Sequence, residues 1–300
     1  MAGRGFSTGA ILDGAFGLVR GHPGAVVAWC LVETMAAAAM TLVLRPMDRM
    51  QAMQVGAAAP ASFQGLGSVF VAQLLAACLF AILTTAAFRA VLRPEDRGFA
   101  FVRLGGDELR LIALTLLFGV AVYLALLFGT LIFVVLGLAV GGSGSLETVA
   151  VATVVGMVLT IAVCVWLEVR LALAFPLTLL RRRFVLAESW RLTRGRFWPM
   201  FAALLVLFLI LLVLFAAAAA LTQGSYWATI VGGGGFGADG VREAAVRQAA
   251  AQLVLSPMTV VRWIVSGIAG GFTVALLGGG TATAARLLTQ DLDRIAETFA

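Results

Sequence analysis

Among the ionisable side chains within or at the edge of long apolar stretches of this sequence, Glu33, Glu168 and Arg170 are the three that could act together. A charge at the centre of a bilayer costs about 2.5–3.5 kcal/mol on insertion scales, so such groups are either paired or line a proton or ion path. If the fourth apolar stretch runs past Arg170 to Leu180, Arg170 lies at the depth of Glu33, and the two are expected to pair with Glu168 nearby. If the stretch ends near Arg170, the guanidinium instead snorkels to lipid phosphate. A second set could bind without making or breaking bonds: Arg20, Arg181, Arg182, Arg183, Trp190, Arg191, Arg194, Arg196 and Trp198. Guanidinium grips phosphate through paired N–H donors, and tryptophan settles at the headgroup level of a membrane.

Groups for catalysis are scarce. The one histidine, His22, precedes Pro23 with no second His or Cys close in sequence, whereas zinc takes three or four protein ligands. No Ser-His-Asp set can be assembled. The acidic pairs Asp107-Glu108 and Asp291/Asp293 are expected to be helix caps and solvated charge. Cys30, Cys78 and Cys164 fall in separate apolar stretches and are expected to act as small hydrophobes rather than a disulfide framework. Residues Gly232 to Gly237 match the letters of a dinucleotide-binding turn, but that turn works only between a strand and a helix. They are expected to be a loop. The expectation is no enzyme, no metal and no cofactor.

The elements that must position these residues follow from composition. Of 300 residues, 62% are hydrophobic and 12% charged, with a mean hydropathy of +1.05. Soluble domains are nearer half apolar and a quarter charged. Backbone groups in lipid must be satisfied internally, by helices or a closed barrel. The apolar stretches are unbroken over about 20 residues or more, which is helix length, and they lack the alternation of barrel strands. The fold class is therefore all-α: a polytopic membrane protein with six spans at about 24–44, 66–90, 110–139, 148–170, 199–221 and 258–285. The first stretch starts late and contains Glu33, so it is expected to be a retained span rather than a leader.

All 21 basic residues are arginine, and the net charge is +6. Arginine without lysine, with heavy Ala, Gly, Leu and Val usage, is the composition a GC-rich bacterial genome produces. Sixteen arginines lie at the N-terminus, in the second and fourth gaps and in the tail; five lie on the other side. Positive charge stays on the cytoplasmic side, so both termini are expected in the cytoplasm of a bacterial inner membrane. That bias accounts for the basic excess without a nucleic acid partner.

Arginine and aromatic residues recur ahead of alternate spans. Phe16-Gly17-Leu18-Val19-Arg20-Gly21 and Trp190-Arg191-Leu192-Thr193-Arg194-Gly195 share aromatic, Leu, Arg and Gly at the same offsets, and Phe101-Val102-Arg103-Leu104-Gly105 is a looser relative. Each is expected to form an amphipathic elbow helix at the cytoplasmic interface, with Gly21 and Gly195 turning the chain into the next span. The single membrane domain then divides into elbow–hairpin units at about 6–92, 93–180 and 181–300. A fourth span ending Arg170-Leu-Ala-Leu-Ala-Phe-Pro176, followed by Glu188-Ser-Trp-Arg-Leu-Thr-Arg-Gly-Arg-Phe-Trp198, resembles the membrane domain attached to some bacterial glycerophosphoryl diester phosphodiesterases. In those enzymes the chemistry resides in a separate barrel with more than one catalytic histidine. The resemblance therefore implies topology and no activity.

Span six carries Gly267, Gly271, Ala275, Gly279 and Thr283, a small residue at every fourth position. Such a ladder lets another helix approach closely, either within the chain or as a homodimer face. The functions these features favour are a non-catalytic module that binds or organises anionic membrane lipids or a membrane partner, or a small transporter or channel using Glu33, Glu168 and Arg170.

Overall fold

The computed structural model describes residues 6–54, 63–96, 98–103, 105–141, 146–232 and 254–299. Nine α-helices are described: α1 (Thr8–Gly21), α2 (Pro23–Gln54), α3 (Phe63–Leu92), α4 (Gly106–Gly141), α5 (Leu146–Leu171), α6 (Ala174–Arg181), α7 (Leu186–Leu192), α8 (Phe197–Gly232) and α9 (Pro257–Phe299). Six stretches are long and apolar enough to cross a membrane: Pro23–Val43, Phe70–Leu92, Gly106–Val140, Glu147–Arg181, Phe197–Gln223 and Pro257–Gln290. The chain is an all-α, multi-pass membrane protein. Most of the expected glycine-rich loop at 232–237 and the carboxylates of Asp291 and Asp293 lie outside the described residues.

Local sequence explains the breaks between helices. Proline fixes φ and lacks an N–H, so it fits a first helical turn, where that donor has no partner anyway. Pro23 opens α2, Pro257 opens α9, Pro176 sits in the first turn of α6, and Pro199 in that of α8. Gly195 makes the turn into α8 with φ +81°, a left-handed conformation open to glycine. The matching turn into α2 falls on His22 (φ −133°) rather than on Gly21, which is the last residue of α1.

Helix α9 is the centre of the bundle and packs against α1, α2, α3 and α8. The small-residue ladder makes two of these contacts. A Cβ added at Gly271 would stand 2.7 Å from the backbone N of Cys30, and one at Gly267 2.6 Å from that of Thr34, both on α2. Further along, one at Gly279 would stand 3.2 Å from Cα of Ala15 on α1, while Ala275 is fully buried and Thr283 meets Gly14. The ladder is thus occupied by α2 and α1 of the same chain, and that face is not free for a second copy. Helices α2 and α3 follow one another in sequence, yet each touches α9 more than it touches the other. The first and third expected units therefore share one core.

Helices α4 and α5 pair along their length as a hairpin, and leave a wide apolar surface exposed, including Phe128, Leu131, Val158 and Ile161. That surface suits acyl chains. At the end opposite Gly141 and Leu146, α1, α6 and α7 close the bundle over a core that contains Ile11, Leu173, Leu177, Met200, Ala284 and Leu288. Because α1 packs along the second half of α9, both ends of the described chain lie at this end.

Two of the three expected elbows contain helices, α1 and α7. The third does not. Phe99–Phe101 forms one turn of 3-10 helix with Ala100 and Phe101 at positive φ (50° and 60°). Its carbonyls are taken by side chains: Trp29 Nε1 donates to Ala100 O at 3.1 Å, and Arg89 Nη1 donates to Phe101 O at 3.3 Å. Those bonds hold the segment as a folded loop, where a helix would need the same carbonyls for itself.

Candidate anion-binding surface and cavity

Helix α5 ends at Leu171, with Glu168 and Arg170 in its last turn. At 1.5 Å per residue, Glu168 lies about 33 Å from the start of α5, at the edge of a hydrocarbon layer about 30 Å thick. Glu168 is exposed there. Glu33 lies about 15 Å along α2, at true depth, and its carboxylate packs against Gly270 of α9. The expected ion pair between Glu33 and Arg170 is not made. The guanidinium of Arg170 is instead enclosed by three rings, with its carbon 5.6 Å from the centroid of Trp166, 5.5 Å from Trp190 and 5.7 Å from Phe197. The physical reason is the helix break at Ala172–Leu173, which stops α5 at the interface and folds α7 back over its end. Glu33 thus lies on a different helix from Glu168 and Arg170, which share the last turn of α5.

The folded-back corner is well tied. Ser189 Oγ and Thr193 Oγ1 donate to the carbonyl of Arg170 at 3.0 and 3.2 Å, satisfying an end-of-helix carbonyl that has no partner within α5. Trp166 meets Trp190 edge-on at 5.3 Å. A guanidinium over an aromatic face gains about 0.5–1 kcal/mol when exposed and about 2 kcal/mol when desolvated, so three rings make Arg170 a strong joint between α5, α7 and α8. Its Nε is buried, without a hydrogen-bond partner among the described residues. Around this joint the other arginines turn outward: Arg181, Arg182, Arg183, Arg191 and Arg194 are exposed, as are Phe184, Trp190 and Trp198, the last at 73%. Arg181 pairs with Glu188 at 3.2 Å, and Arg196 leans over the ring of Phe6. Arg20 is exposed near the end of α1.

A second basic feature lies where α3 ends, α4 begins and α6 ends. A cavity of about 410 Å³ opens there, lined by Arg89, Arg93, Arg103, Arg110 and Arg182 together with Asp96, Asp107 and Glu108. The expected solvated role of Asp107-Glu108 is corrected. Glu108 is 2% exposed and forms an ion pair with Arg89, itself 4% exposed. Asp107 holds Arg110 at 2.9 Å and Arg93 at 3.5 Å. Arg93 also donates to the carbonyl of Leu179 at 2.7 Å, fastening α6 to α3. Two carboxylates in the first turn of α4 are where the helix dipole favours them. Removing one member of a buried pair such as Arg89–Glu108 leaves an uncompensated charge and costs about 3–5 kcal/mol.

Another cavity, between the end of α4 and the start of α5, is largely apolar, lined by Phe133, Leu136, Val151 and Val155 among others. Neither cavity is lined by Glu33, Glu168 or Arg170. His22 meets the ring of Phe101 edge-on at 5.2 Å, and among the described residues no cluster of His, Cys, Asp and Glu is arranged to hold a metal ion. The arginine-lined cavity was hidden in the sequence, where Arg89 to Arg110 register as orientation signals. A trace of it is present: four carboxylates stand among the five arginines of that gap, more acid than a charge-biased loop requires.

No protein-family model, no curated protein and no solved structure matches this chain.

Proposed function

We propose that this protein is a non-catalytic membrane module of a bacterial inner membrane, with both termini in the cytoplasm, that engages anionic lipid headgroups at the corner formed by α5, α6, α7 and the start of α8. The observation that carries this reading is the arrangement around Arg170. One guanidinium is committed to three rings, and the resulting fixed corner points several others outward beside exposed tryptophans. An arginine near an anionic leaflet gains about 1 kcal/mol. Three outward arginines therefore supply about 3 kcal/mol, enough for roughly a hundredfold preference over neutral lipid. The excess of arginine at this end supports its assignment to the cytoplasmic face. The resemblance to the membrane domain of glycerophosphoryl diester phosphodiesterases fits the same reading and adds no chemistry. The lipid reading is preferred to transport through Glu33, Glu168 and Arg170 because Glu33 lies on α2, the other two lie at the end of α5, and neither described cavity is lined by any of them.

The test is native mass spectrometry of the whole protein after equilibration in mixed micelles holding equal phosphatidylglycerol and phosphatidylcholine. The wild type is expected to retain phosphatidylglycerol in clear excess. Replacing Arg183, Arg191 and Arg194 by glutamine is expected to lower that excess at least tenfold. An unchanged ratio in the triple variant overturns the reading.

A further inference from the structure

We propose that the arginine-lined cavity between α3, α4 and α6 is a binding site for a phosphate group, separate from the outward corner. Five guanidiniums face three carboxylates around it, which leaves two positive charges unbalanced in a space of about 410 Å³. The inner arginines are already engaged: Arg89 with Glu108 and the Phe101 carbonyl, Arg93 with Asp107 and the Leu179 carbonyl. The surplus sits at the rim, on Arg110, Arg103 and Arg182. A guanidinium carries five N–H donors. Arg110 is seen to spend one on Asp107, and Arg103 holds Asp96 only at 3.5 Å with most of its side chain exposed.

Two further features point to a phosphate ester rather than to a bare counter-ion. The cavity meets the N-terminus of α4, where the first amides have no partner within the helix and favour an anion. Glu108 also lines it, deeply buried, and its Oε2 has no donor among the described residues. A ligand that offers phosphate oxygens to the rim arginines and a hydroxyl to Glu108 satisfies both. The volume falls within the range of small-molecule sites and exceeds what inorganic phosphate fills. Arginine suits this role because its planar fork matches phosphate oxygens in pairs. The phosphate can belong to a soluble ester or to a lipid headgroup.

The experiment uses the full chain in neutral detergent at fixed ionic strength. Thermal midpoints are measured against inorganic phosphate, glycerol 1-phosphate and sodium chloride, and lipid retention against phosphatidic acid and phosphatidylcholine. A ligand held by the folded state raises the midpoint with its concentration. Glycerol 1-phosphate raising the midpoint above the chloride control identifies a soluble ester. Selective retention of phosphatidic acid alone identifies a headgroup. In either case Arg182→Gln and Arg103→Gln, both at the exposed rim where folding is not at stake, are expected to weaken binding at least tenfold. Arg286→Gln, exposed on α9 and lining neither the cavity nor the corner, is expected to leave it unchanged. No response to any phosphate compound, or a response that both rim variants preserve, overturns the site. Loss of binding in Arg191→Gln with none in the rim variants assigns the phosphate to the outward corner, and likewise overturns it.

Discussion

Replacing Gly271 by alanine tests the packing on which the arginine cavity depends. The new methyl would stand 2.7 Å from the backbone N of Cys30 and 2.8 Å from its Cα, with the Cys30 sulfur also in contact. Carbon contacts are optimal near 3.5–4.0 Å, so α2 must retreat from α9 by roughly 0.7 Å or more. The obstructing atoms are backbone, which no rotamer change can move. Overpacking of this kind costs about 1–3 kcal/mol. A retreat of that size also stretches the bond from Trp29, one residue before Cys30, to Ala100, from 3.1 Å to beyond hydrogen-bonding distance. That releases the loop whose Phe101 carbonyl receives Arg89 at the arginine cavity. Gly17 is the control: it lies mid-helix in α1, is exposed, and an added Cβ there meets nothing within 4 Å. Alanine at that position is expected to stabilise by up to about 1 kcal/mol through helix propensity. Thermal unfolding of purified protein in detergent should then place Gly271→Ala several degrees below the wild type and Gly17→Ala level with it or above. Equal midpoints for Gly271→Ala and the wild type would refute the close approach of α2 to α9.

Two other outcomes follow from the geometry. A double-mutant cycle with Glu33→Gln and Arg170→Met should show coupling below about 0.5 kcal/mol in thermal stability, because the two side chains share no partner; a coupling of 2 kcal/mol would restore the ion pair. A phosphatase reporter that works only outside the cytosol, fused after residue 142, should be active, and the same reporter after residue 183 should be silent; the reverse pattern would invert the proposed orientation.

The spans were legible because lipid imposes one rule, about 20 apolar residues without interruption, and each described membrane helix obeys it. The turn at Gly195 was legible too. The centrality of α9 was not. A membrane helix is apolar on most of its circumference, so hydropathy does not say which face meets protein and which meets lipid. The glycine ladder announced a close approach on α9 but could not name α2 and α1 as the partners. The pairing of Glu33 with Arg170 failed for a related reason: depth was inferred from a continuous apolar run, and Leu171 to Leu180 remains apolar across the helix break at Ala172–Leu173. The arginine cavity needed contacts such as Arg93 with Leu179, far apart in the chain, which no local pattern encodes.

The two populations of arginine obey one physical rule with opposite results. Where the backbone turns back on itself near the membrane edge, carbonyls lose their helical partners and need donors. Arg93 supplies one for Leu179, Arg89 for Phe101, and the Ser189 and Thr193 hydroxyls for Arg170. These side chains are structural, and the charge of Arg89 and Arg93 is compensated by Glu108 and Asp107, that of Arg170 by aromatic faces. Once the turns are satisfied, additional arginines gain nothing from the fold and remain in water. Arg183, Arg191 and Arg194 belong to this group, as do the rim residues Arg103 and Arg182. Function is therefore to be sought among the arginines that the fold leaves over, and the buried ones set the positions from which they reach.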